Sequence, residues 1–577
     1  MAAIISNNFR SLNANGFIED IRSELSNVYI GVGKSTAWQD SNPSLTDFTD
    51  SGAPSPLDTI DDINQARANM VGIKLIKNNE VSHVVPRYDW AAGEIFDTWD
   101  SEDKDIFEKK FYCLTNDFKV YKCIDRPSDV TGVSDVPTKV QADPFTTAEG
   151  YVWKYMYTII AADSEKFLTR SYMPVKTLTV NTKSKASITA ASYSSGTAQT
   201  IELATENPNI MIGQKVKVVG TTLASGTFAD TTVVTAVSGK HVTVTANVAS
   251  YDTDADTEFE FYDFEDTNPL YDQQQAQKDS IPLVGSIDRI EVTNPGIGIT
   301  NTAEEIVAEI HIIGDGSSAA IAEIGVTKSG NSVTRLVPTT RGSGYSVATV
   351  SIINANLAGS APLAARAVIG PASGHGVDPV AELGGFYVGL NVQISGAAGG
   401  DTDIANNQDF RQITILKNPT VQGVTQTSAA AQAAGSGQGT YRATKYLSYD
   451  KNTTNVQAAV QTMEGLVRNG NDVLLKGSAE IDGVFPRAYV TNVDLENGYI
   501  YYVQNSLTGY QTFPTTDNIT YSNDAAPNGT VAGITLTASN GGTIFDKNSG
   551  EILFIENRDP IQRSSTQIED IKLIIEF

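Results

Sequence analysis

Short runs of alternating apolar and polar residues, separated by turn-forming residues, fill the middle of this chain at positions 181–370. KVKVVG, TTVVTAV and KHVTVTANV are examples, and Thr, Ser, Gly and Asp lie between such runs. A period of two places every second side chain on the same face of a strand. Because few helical periods occur in this segment, the pattern predicts an all-β architecture for it.

The chain of 577 residues is too long for a single core, so several domains are expected. We predict a mainly β, multidomain protein, in which an α+β core with β-sandwich parts carries inserted all-β domains. The predicted boundaries are an N-terminal part of the core at 1–180, an inserted all-β region at 181–370, a core return segment at 371–430, a second β-rich insertion at 431–545 and C-terminal core strands at 546–577.

Three smaller patterns support this division. A weak repeat lies within the first insertion, where VTNPGIGIT at 292–300 is echoed by PTTRGSGYS at 338–346. The small residues of 420–440 predict a linker or exposed loop, and 453–468 predicts a helix. The last stretch, from SGEILFIENRDPI to DIKLIIEF, predicts two strands around a turn, with the final strand held in a sheet.

The first 180 residues mix helical and strand patterns. Two apolar stripes at helical spacing predict one helix capped by Asn13 or Asn15 and a second over Thr59–Met70. The stripes are Leu12, Phe17, Ile18, Ile21 and Leu25 in the first helix, and Ile60, Ile63, Ala66 and Met70 in the second.

Two further N-terminal segments predict strands. FYCLTNDFKVYKCID predicts a hairpin whose turn lies at Asn116-Asp117. EGYVWKYMY alternates strictly, which places four aromatic side chains on one face and leaves Lys154 on the other, where it needs solvent or a partner. The four aromatic residues are Tyr151, Trp153, Tyr155 and Tyr157. A stripe of this size must be covered, either by this chain's own core or by a neighbouring chain.

The net charge of −26 limits the classes of partner. An acidic surface repels phosphate backbones and anionic lipid, so we expect neither nucleic acid nor membrane partners, and basic proteins are favoured instead. No apolar run is long enough to span a bilayer, and MAAIISNNFR lacks the pattern of a signal peptide. Cys113 and Cys123 are the only cysteines, and we predict reduced thiols in a protein that folds in cytosol.

Short motifs do not support nucleotide, metal or catalytic chemistry. GVGKST ends like a phosphate-binding loop, but the first glycine of that motif would be Val28, so we predict a strand over Val28–Val32 that ends in a glycine turn. Asp252, Asp254 and Asp256 have the spacing of a calcium loop, but Thr257 and Asp263 occupy positions that require Gly and Glu, which favours a solvated acidic turn. The four histidines lie far apart along the chain. We therefore expect no enzyme activity, no cofactor, no metal and no small-molecule substrate.

Several segments resemble a known family. They are VVPRYDW at 84–90, VYKCIDRP at 120–127, EGYVWKYMY at 149–157, DFRQITILKNP at 409–419 and SGEILFIENRDPI at 549–561. In this order they resemble the signature segments of the baseplate wedge subunit encoded by gene eight in T-even-type contractile-tailed phages. DPVAELGGFYV at 378–388 is similar to longer members of that family. The regions 181–370 and roughly 440–545 have no counterpart in the shorter phage subunit.

The resemblance implies a structural role. A protein of this family holds neighbouring wedge proteins together and takes part in the rearrangement that triggers tail contraction. It implies a homodimer that contacts other baseplate wedge subunits in the virion tail, assembled in the cytoplasm of the bacterial host. The alternative is a host-surface or glycan-binding tail protein that acts through its β insertions.

The matching segments also supply candidate interface or fold-signature residues. Arg87 and Asp89 point the same way on an extended segment, so they would pair with each other or bridge to a neighbouring chain, and Glu556, Arg558 and Asp559 repeat this arrangement. Internal turn and capping contacts are the other interpretation. The full set of candidates is Arg87, Asp89, Trp90, Tyr151, Trp153, Tyr155, Arg411, Asn557 and Arg558.

Overall fold

The structure is a computed structural model of the 577-residue chain. It describes residues 4–22, 26–34, 38, 52–127, 132–141, 143–178, 181–185, 199–207, 209–219, 231–245, 258–280, 285–317, 323–395, 410–420, 440–442, 445–468, 473–495, 498–504, 508–509, 511–514, 517–523, 534–540, 545, 547–561 and 568–577.

Helices and strands alternate irregularly along the chain. The helices are α1 Asn7–Arg22, α2 Ile60–Asn69, α3 Ala161–Phe167, α4 Tyr271–Ser280, α5 Ala303–Ala308, α6 Pro379–Glu382 and α7 Thr454–Arg468. The first strands are β1 Val28–Gly33, β2 Met70–Leu75, β3 Val81–Pro86, β4 Tyr112–Leu114, β5 Lys119–Asp125, β6 Phe145–Thr146, β7 Val152–Thr158 and β8 Tyr172–Pro174.

The middle strands are β9 Thr182–Lys185, β10 Gln199–Glu202, β11 Gln214–Val219, β12 Val234–Ser238, β13 His241–Val244, β14 Glu258–Phe264, β15 Ile287–Ile297, β16 Ile310–Gly314, β17 Glu323–Ser329, β18 Ser332–Thr340, β19 Ala348–Ile352 and β20 Ala361–Ile369. The last are β21 Tyr387–Ser395, β22 Phe410–Lys417, β23 Thr440–Arg442, β24 Lys445–Tyr449, β25 Val473–Gly477, β26 Arg487–Asp494, β27 Tyr499–Val503, β28 Asn518–Asn523, β29 Ile534–Asn540, β30 Glu551–Ile561 and β31 Ile568–Glu576.

The chain divides into two compact units. Unit 1 comprises Met1–Glu19, Ser82–Leu390 and Leu573–Phe577, and unit 2 comprises Asp20–Val81 and Asn391–Lys572. Unit 1 contains the sheets β4-β5-β7-β6, β10-β13-β12, β11-β14-β9, β17-β18-β15-β20 and β16-β19. In a further sheet, β31-β21-β3-β8, strands β21 and β31 each contain residues assigned to both units. Unit 2 contains the sheet β23-β2-β1-β22-β30 and a closed barrel, β24-β27-β26-β25-β28-β29. The predicted mainly β, multidomain class is confirmed.

Both N-terminal helices form, but their apolar stripes differ from the prediction. Helix α1 begins at Asn7, so a cap at Asn13 or Asn15 was wrong, and Leu25 lies outside the described residues. Its buried stripe is Ala14, Ile18 and Ile21, whereas Leu12 is 65% exposed. Helix α2 is capped by the Thr59 hydroxyl, which accepts the Asp62 N–H at 3.1 Å, and Ile60 on its first turn is exposed. Helical spacing predicted where the helices form and not which face the chain covers.

The predicted hairpin is confirmed as β4 and β5 around the Asn116-Asp117 turn. Phe118 takes the left-handed conformation that closes this turn, with φ at 59°. Cys113 and Cys123 are free, buried thiols in the same apolar cluster. Burial raises the pKa of both thiols far above the usual value, so neither is a reactive thiolate.

The middle region contains two separate cores instead of one. Strands β9 to β14 form two small sheets around a core that includes Ile201, Val242 and Phe259, which is the expected sandwich packing. Strands β15 to β20 enclose a second core. Helix α4 lies between these two segments in the chain and packs against β7. The boundaries of the insertions stay a prediction.

The two copies of the weak repeat share a backbone conformation. Each contains the end of a strand, β15 or β18, and a glycine pair in the left-handed region. Gly296 and Gly298 both have φ at 71°, and Gly342 and Gly344 have φ at 64° and 76°. Only glycine adopts these angles without strain, which is why the G-x-G pattern recurs.

The barrel of unit 2 has a filled interior. Helix α7, which confirms the prediction for 453–468, covers it with Val460 and Met463. Residues such as Leu475, Ile500 and Ile519 occupy the same core. A six-stranded barrel is narrow enough for side chains to fill it.

The other predicted features are the C-terminal strands, the strand at Val28–Val32, the acidic turn and the linker at 420–440. The two C-terminal strands are confirmed, but β30 and β31 belong to different sheets, so no hairpin joins them. Strand β1 confirms the prediction for Val28–Val32. The carboxylates Asp252, Asp254 and Asp256 lie outside the described residues, as does nearly all of 420–440. In the described part of the chain, no helix has the length and apolarity needed to cross a membrane.

The sandwich of β9 to β14 offers a test of modularity. Thr182 and Phe261 are direct partners across β9 and β14, so a bridge of two or three glycines can replace residues 182–262. We expect the shortened chain to remain folded, because the removed core is made of its own strands. Circular dichroism and thermal unfolding would measure this.

Replacing the ten residues of helix α4 by ten alternating glycine and serine residues is the comparison, because a shorter bridge could not span the helix length of about 15 Å. Ala276 is buried against Trp153 in one cluster, and Gln277 accepts the Leu178 N–H at 3.1 Å. We expect this replacement to abolish cooperative unfolding. If the deletion and the replacement behave alike, the sandwich is not separable from the core.

Candidate functional site

The aromatic residues of β7 lie inside the chain. Tyr151, Trp153 and Tyr155 are all 0% exposed. Trp153 stacks on Tyr151 with ring centroids 5.6 Å apart and meets the edge of Phe96 at 5.5 Å. Ala276 of helix α4 belongs to the same cluster. This chain therefore covers the stripe itself.

Tyr157 does not share this face, contrary to the prediction. Val120 pairs with Tyr157 but Tyr121 pairs with Tyr155, so β7 carries one extra residue at Met156. Such a bulge changes the side on which the following residue lies. Tyr157 consequently packs with Met156 and Val120 in a different cluster.

The VVPRYDW segment makes internal contacts. Arg87 Nε donates to Asp89 Oδ1 at 2.7 Å, and its Nη1 donates to the Thr169 carbonyl at 2.9 Å. Trp90 packs against the aromatic cluster, with its indole N–H buried and unbonded among the described residues. Arg87 and Asp89 were expected either to pair with each other or to bridge to a neighbouring chain, and in the structure they pair with each other.

The remaining candidates belong to unit 2. Arg411 is buried in strand β22, and the neighbouring Gln412 donates its amide to Asn557 Oδ1 at 2.8 Å across the β22–β30 pair. Asn557 also donates to the Pro54 carbonyl at 3.0 Å. Arg558 pairs with Glu556 two residues earlier. The contacts of this second group join residues of unit 2 to one another.

A cluster of buried charges, which sequence reasoning missed, lies on the other face of the β5–β7 pair. Lys122 and Lys154 are direct cross-strand partners, and both side chains are 0% exposed. Two like charges opposite one another are unfavourable unless other groups compensate. The cluster consists of these lysines with Trp99, Asp288, His375 and Glu382.

Lys122 has a partner for each of its three protons. Its Nζ donates to Glu382 Oε2 at 2.8 Å and to His375 Nδ1 at 3.0 Å. It also lies 4.3 Å from the centre of the Trp99 ring, a cation–π distance. A buried ammonium group is tolerable only when it is paired in this way.

His375 connects the lysine to a second carboxylate. Because Lys122 can only donate, Nδ1 must present its lone pair, and Nε2 carries the proton that it donates to Asp288 Oδ2 at 2.7 Å. This assigns the neutral imidazole. A Cβ at Gly370 would lie 3.1 Å from both Asp288 and His375, so the approach requires glycine.

Burial and charge act in opposite directions on the pKa values. Burial alone raises the pKa of Glu382, but the charge and hydrogen bond of Lys122 oppose this effect, and the pKa lies at about 2. Burial lowers the pKa of Lys122, an effect that Glu382 opposes. Burial also lowers the pKa of Lys154, to about 8. Glu382 is therefore ionised at neutral pH, with the Lys122 Nζ at 2.8 Å as its partner.

The cluster can hold parts of the fold together, but no substrate can reach it. It joins β5 and β7 to helix α6 through Glu382, and to β15 through Asp288. Full burial excludes solvent and ligands from Lys122 and His375. No group of three or more metal-ligating residues occurs in the described ranges.

A second ionic group lies beside this cluster and borders a cleft of about 430 Å³. Asp100 accepts hydrogen bonds from Arg289 Nη2, at 2.8 Å, and from Arg366. Arg289 also donates to the Trp99 carbonyl. Asp288 and Arg289 are adjacent in β15, so one strand of the predicted insertion serves both groups.

Little in the sequence signals this cluster. In VYKCIDRP and EGYVWKYMY the lysines occupy positions that alternation assigns to solvent or a partner. Their compensating residues are more than 200 positions away, in PASGHGVDPVAELGG. Three of the segments that carry the family resemblance contribute to this cluster, namely VYKCIDRP, EGYVWKYMY and DPVAELGGFYV. Membership of these segments in the resemblance is the one signal in the sequence that marks them.

Comparison with known proteins gives one family match. Residues 3–142 match the family model Phage-Gp8, described as Bacteriophage T4, Gp8. No individual curated protein matches the chain. The resemblance to the gene-eight family is thus confirmed over roughly the first quarter of the chain, which includes α1, Arg87, Asp89, Trp90 and Lys122.

The buried pair between Lys122 and Glu382 predicts a large mutational effect. Glu382→Gln should lower the free energy of unfolding by about 3–5 kcal/mol, because it leaves a buried ammonium group without its counter-charge. Chemical denaturation would measure this. Glu94→Gln is the control, since the exposed Glu94–Lys110 pair at 3.2 Å is worth less than about 1 kcal/mol. The combination of Lys122→Met and Glu382→Leu should cost less than Glu382→Gln alone, and a cost equal to the sum of the single changes would contradict a compensated pair.

Lys154 predicts a pH dependence. Above pH 8 the folded state releases its proton, whereas an unfolded lysine keeps its proton up to about pH 10.4. The unfolded state then binds more protons, so this residue makes the free energy of unfolding rise with pH across that interval, by about 3 kcal/mol at most. Lys154→Met should remove the rise, as measured by urea unfolding between pH 7 and 10.5. Lys110→Met, at an exposed site, should leave it in place; equal pH slopes for all three proteins would contradict the assignment.

Proposed function

We propose that this protein is a structural subunit of a phage tail baseplate wedge, which holds neighbouring wedge proteins together and takes part in the rearrangement that triggers contraction. The observation that carries the proposal is the family match over residues 3–142. The matched region supplies β4, β5 and the Lys122 side of the buried cluster to unit 1, and it supplies β1, α2 and β2 to unit 2.

The character of the candidate residues supports a role in assembly. Trp153 and the buried lysines belong to the core, and Arg87 and Arg558 form ion pairs with residues of the same chain. Large protein contacts require a rigid surface and no catalytic group. The acidic net charge of −26 favours neighbours with basic surfaces.

Helix α1 offers a surface for the proposed homodimer. Its exposed side carries Phe9 and Leu12 at helical spacing, with side chains 51% and 65% exposed, and Ile5, which precedes the helix, is 71% exposed. Gly16 continues the stripe, and a Cβ there would contact nothing in the described chain. A glycine within a helix costs about 1 kcal/mol relative to alanine, so an unused glycine beside large apolar residues suits the close approach of a second helix.

A direct test is to locate the protein in virus particles. Antibody raised against the chain should label the tail end, and particles made without the gene product should lack complete baseplates, as seen by electron microscopy. Complete, contractile tails in the absence of the protein would overturn the proposal.

The helix surface gives a separate prediction. Phe9→Ser combined with Leu12→Ser should weaken self-association of the purified chain, since it removes the apolar area that two copies would bury. Sedimentation measures the association, and thermal unfolding should show that stability changes by no more than about 0.5 kcal/mol, as for other exposed sites. Ile60→Ser, on the exposed start of α2, is the control and should leave association unchanged. If the double variant associates like the parent, α1 does not carry the contact.

A further inference from the structure

The turn between β4 and β5 places a large apolar residue in an unfavourable backbone conformation. Phe118 has φ at 59°, in the left-handed region. Hairpin turns normally carry glycine or asparagine at such a position, because a bulky side chain is strained there. Within the described part of the chain, the other residues with a side chain and a positive φ are polar, namely Lys34, Asn418 and Asp482. The aromatic residue at this turn therefore needs an explanation.

Hydrogen bonds on both sides of Phe118 fix this conformation. Its N–H donates to the Thr115 carbonyl at 3.0 Å, and its carbonyl accepts the Ile159 N–H at 2.8 Å. The Thr115 N–H donates to the Lys119 carbonyl at 2.9 Å, which closes the base of the turn. Ile159 is buried in the apolar cluster of β4 and β7, so the turn is tied to the core of unit 1. The ring of Phe118 consequently stands on a rigid support.

The ring of Phe118 does little within the chain. Phe118 is 43% exposed, whereas Leu114 and Val120 on the two strands of the same hairpin are buried. It makes no ring contact with another aromatic residue of the described ranges. A single exposed apolar residue is common on protein surfaces, but here exposure is combined with backbone strain. Strain of this kind concentrates at functional sites.

The tip of the turn also carries an acidic group beside the ring. Asn116 and Asp117 are both exposed, and Asp117 forms no ion pair in the part of the chain that the structure describes. Lys119, at the base of the turn, is less exposed than either of them. An aromatic ring and a free carboxylate are therefore presented together at the most exposed point of the hairpin.

We propose that Phe118 is an anchor that inserts into an apolar pocket of a neighbouring protein, which places a lysine or arginine beside Asp117. Aromatic side chains seated in partner pockets provide much of the binding energy of protein interfaces. A rigid turn adds to this, because the anchor loses little conformational freedom on binding. The inference rests on the proposed baseplate function, since it names one contact by which this subunit holds a neighbour.

The occupant is a different protein rather than a second copy of this chain. The net charge of −26 makes the surface of a second copy acidic on balance, so it does not complement Asp117. Insertion of the ring into a pocket elsewhere on a second copy would also be a head-to-tail contact, which forms rings or filaments. The proposed homodimer instead requires a self-complementary surface, which helix α1 supplies without charged residues on its apolar stripe.

Photochemical cross-linking in virus particles tests the anchor. Phe118 is replaced by p-benzoylphenylalanine, which keeps the aromatic ring and bonds to adjacent C–H groups under light. Particles assembled with this protein should give a product that joins position 118 to a different particle protein. Mass spectrometry should place the joined segment next to apolar residues and a lysine or arginine. The same photoreactive residue at Val136, which is also 43% exposed, is the control and should not give this product.

The outcomes separate the anchor from the baseplate assignment. A product that joins two copies of this chain would overturn the anchor, and so would particles that contain the chain but give no product at position 118. In either case the assignment would stand. Equal products from positions 118 and 136 would also overturn the anchor. Particles that lack the chain altogether would contradict the assignment and the anchor together.

A pair of glycine variants measures the contribution of the ring. Phe118→Gly should reduce the amount of this chain retained in tails by about tenfold or more, as expected when an aromatic anchor is lost. It should not lower the midpoint of thermal unfolding of the purified chain, because glycine adopts a positive φ without strain. Val136→Gly should leave the retained amount unchanged. Normal retention of the Phe118→Gly protein, together with a lowered unfolding midpoint, would show that the ring only packs within its own chain.

Discussion

The ionic contact between Lys122 and Glu382 is the interaction on which unit 1 depends most. An ammonium group removed from water is costly, and the chain compensates with one carboxylate, one imidazole and one aromatic face around the same nitrogen. The carboxylate and the imidazole come from one segment near residue 380, and the aromatic face comes from Trp99, far from it in the chain. Unit 1 can therefore close only when β5, helix α6 and the loop carrying His375 have all reached their places.

Because the buried charges need partners from several segments, part of the middle of the chain belongs to the core of unit 1. Asp288 and Arg289 enter β15 side by side, and one pairs with His375 while the other pairs with Asp100. Helix α4 covers the Trp153 cluster in the same unit. By contrast, the sandwich of β9 to β14 has a core of its own. A segment with its own core, such as the sandwich of β9 to β14, costs little closure entropy when it is placed in a loop. The segment with β15 and helix α4 instead shares its contacts with the rest of unit 1.

One exposed surface suits contact with another chain. Helix α1 presents an uncharged apolar stripe in an otherwise acidic protein. Contiguous apolar surface of this kind is typical of sites where proteins associate, and a subunit that holds neighbours in one assembly needs such contacts.

Local patterns in the sequence determined most of the elements, including the β4–β5 hairpin, strand β7 and helix α7. Alternation and helical spacing express local backbone geometry, so they can be read from neighbouring residues. The bulge that turns Tyr157 to the other face, the exposed Leu12 and the burial of Lys154 could not be read in this way. Each depends on which distant segment packs against the element. The resemblance identified segments that matter, but only the tertiary structure decided that Lys122 meets His375 and Glu382, because those residues are brought together by folding and not by spacing in the chain.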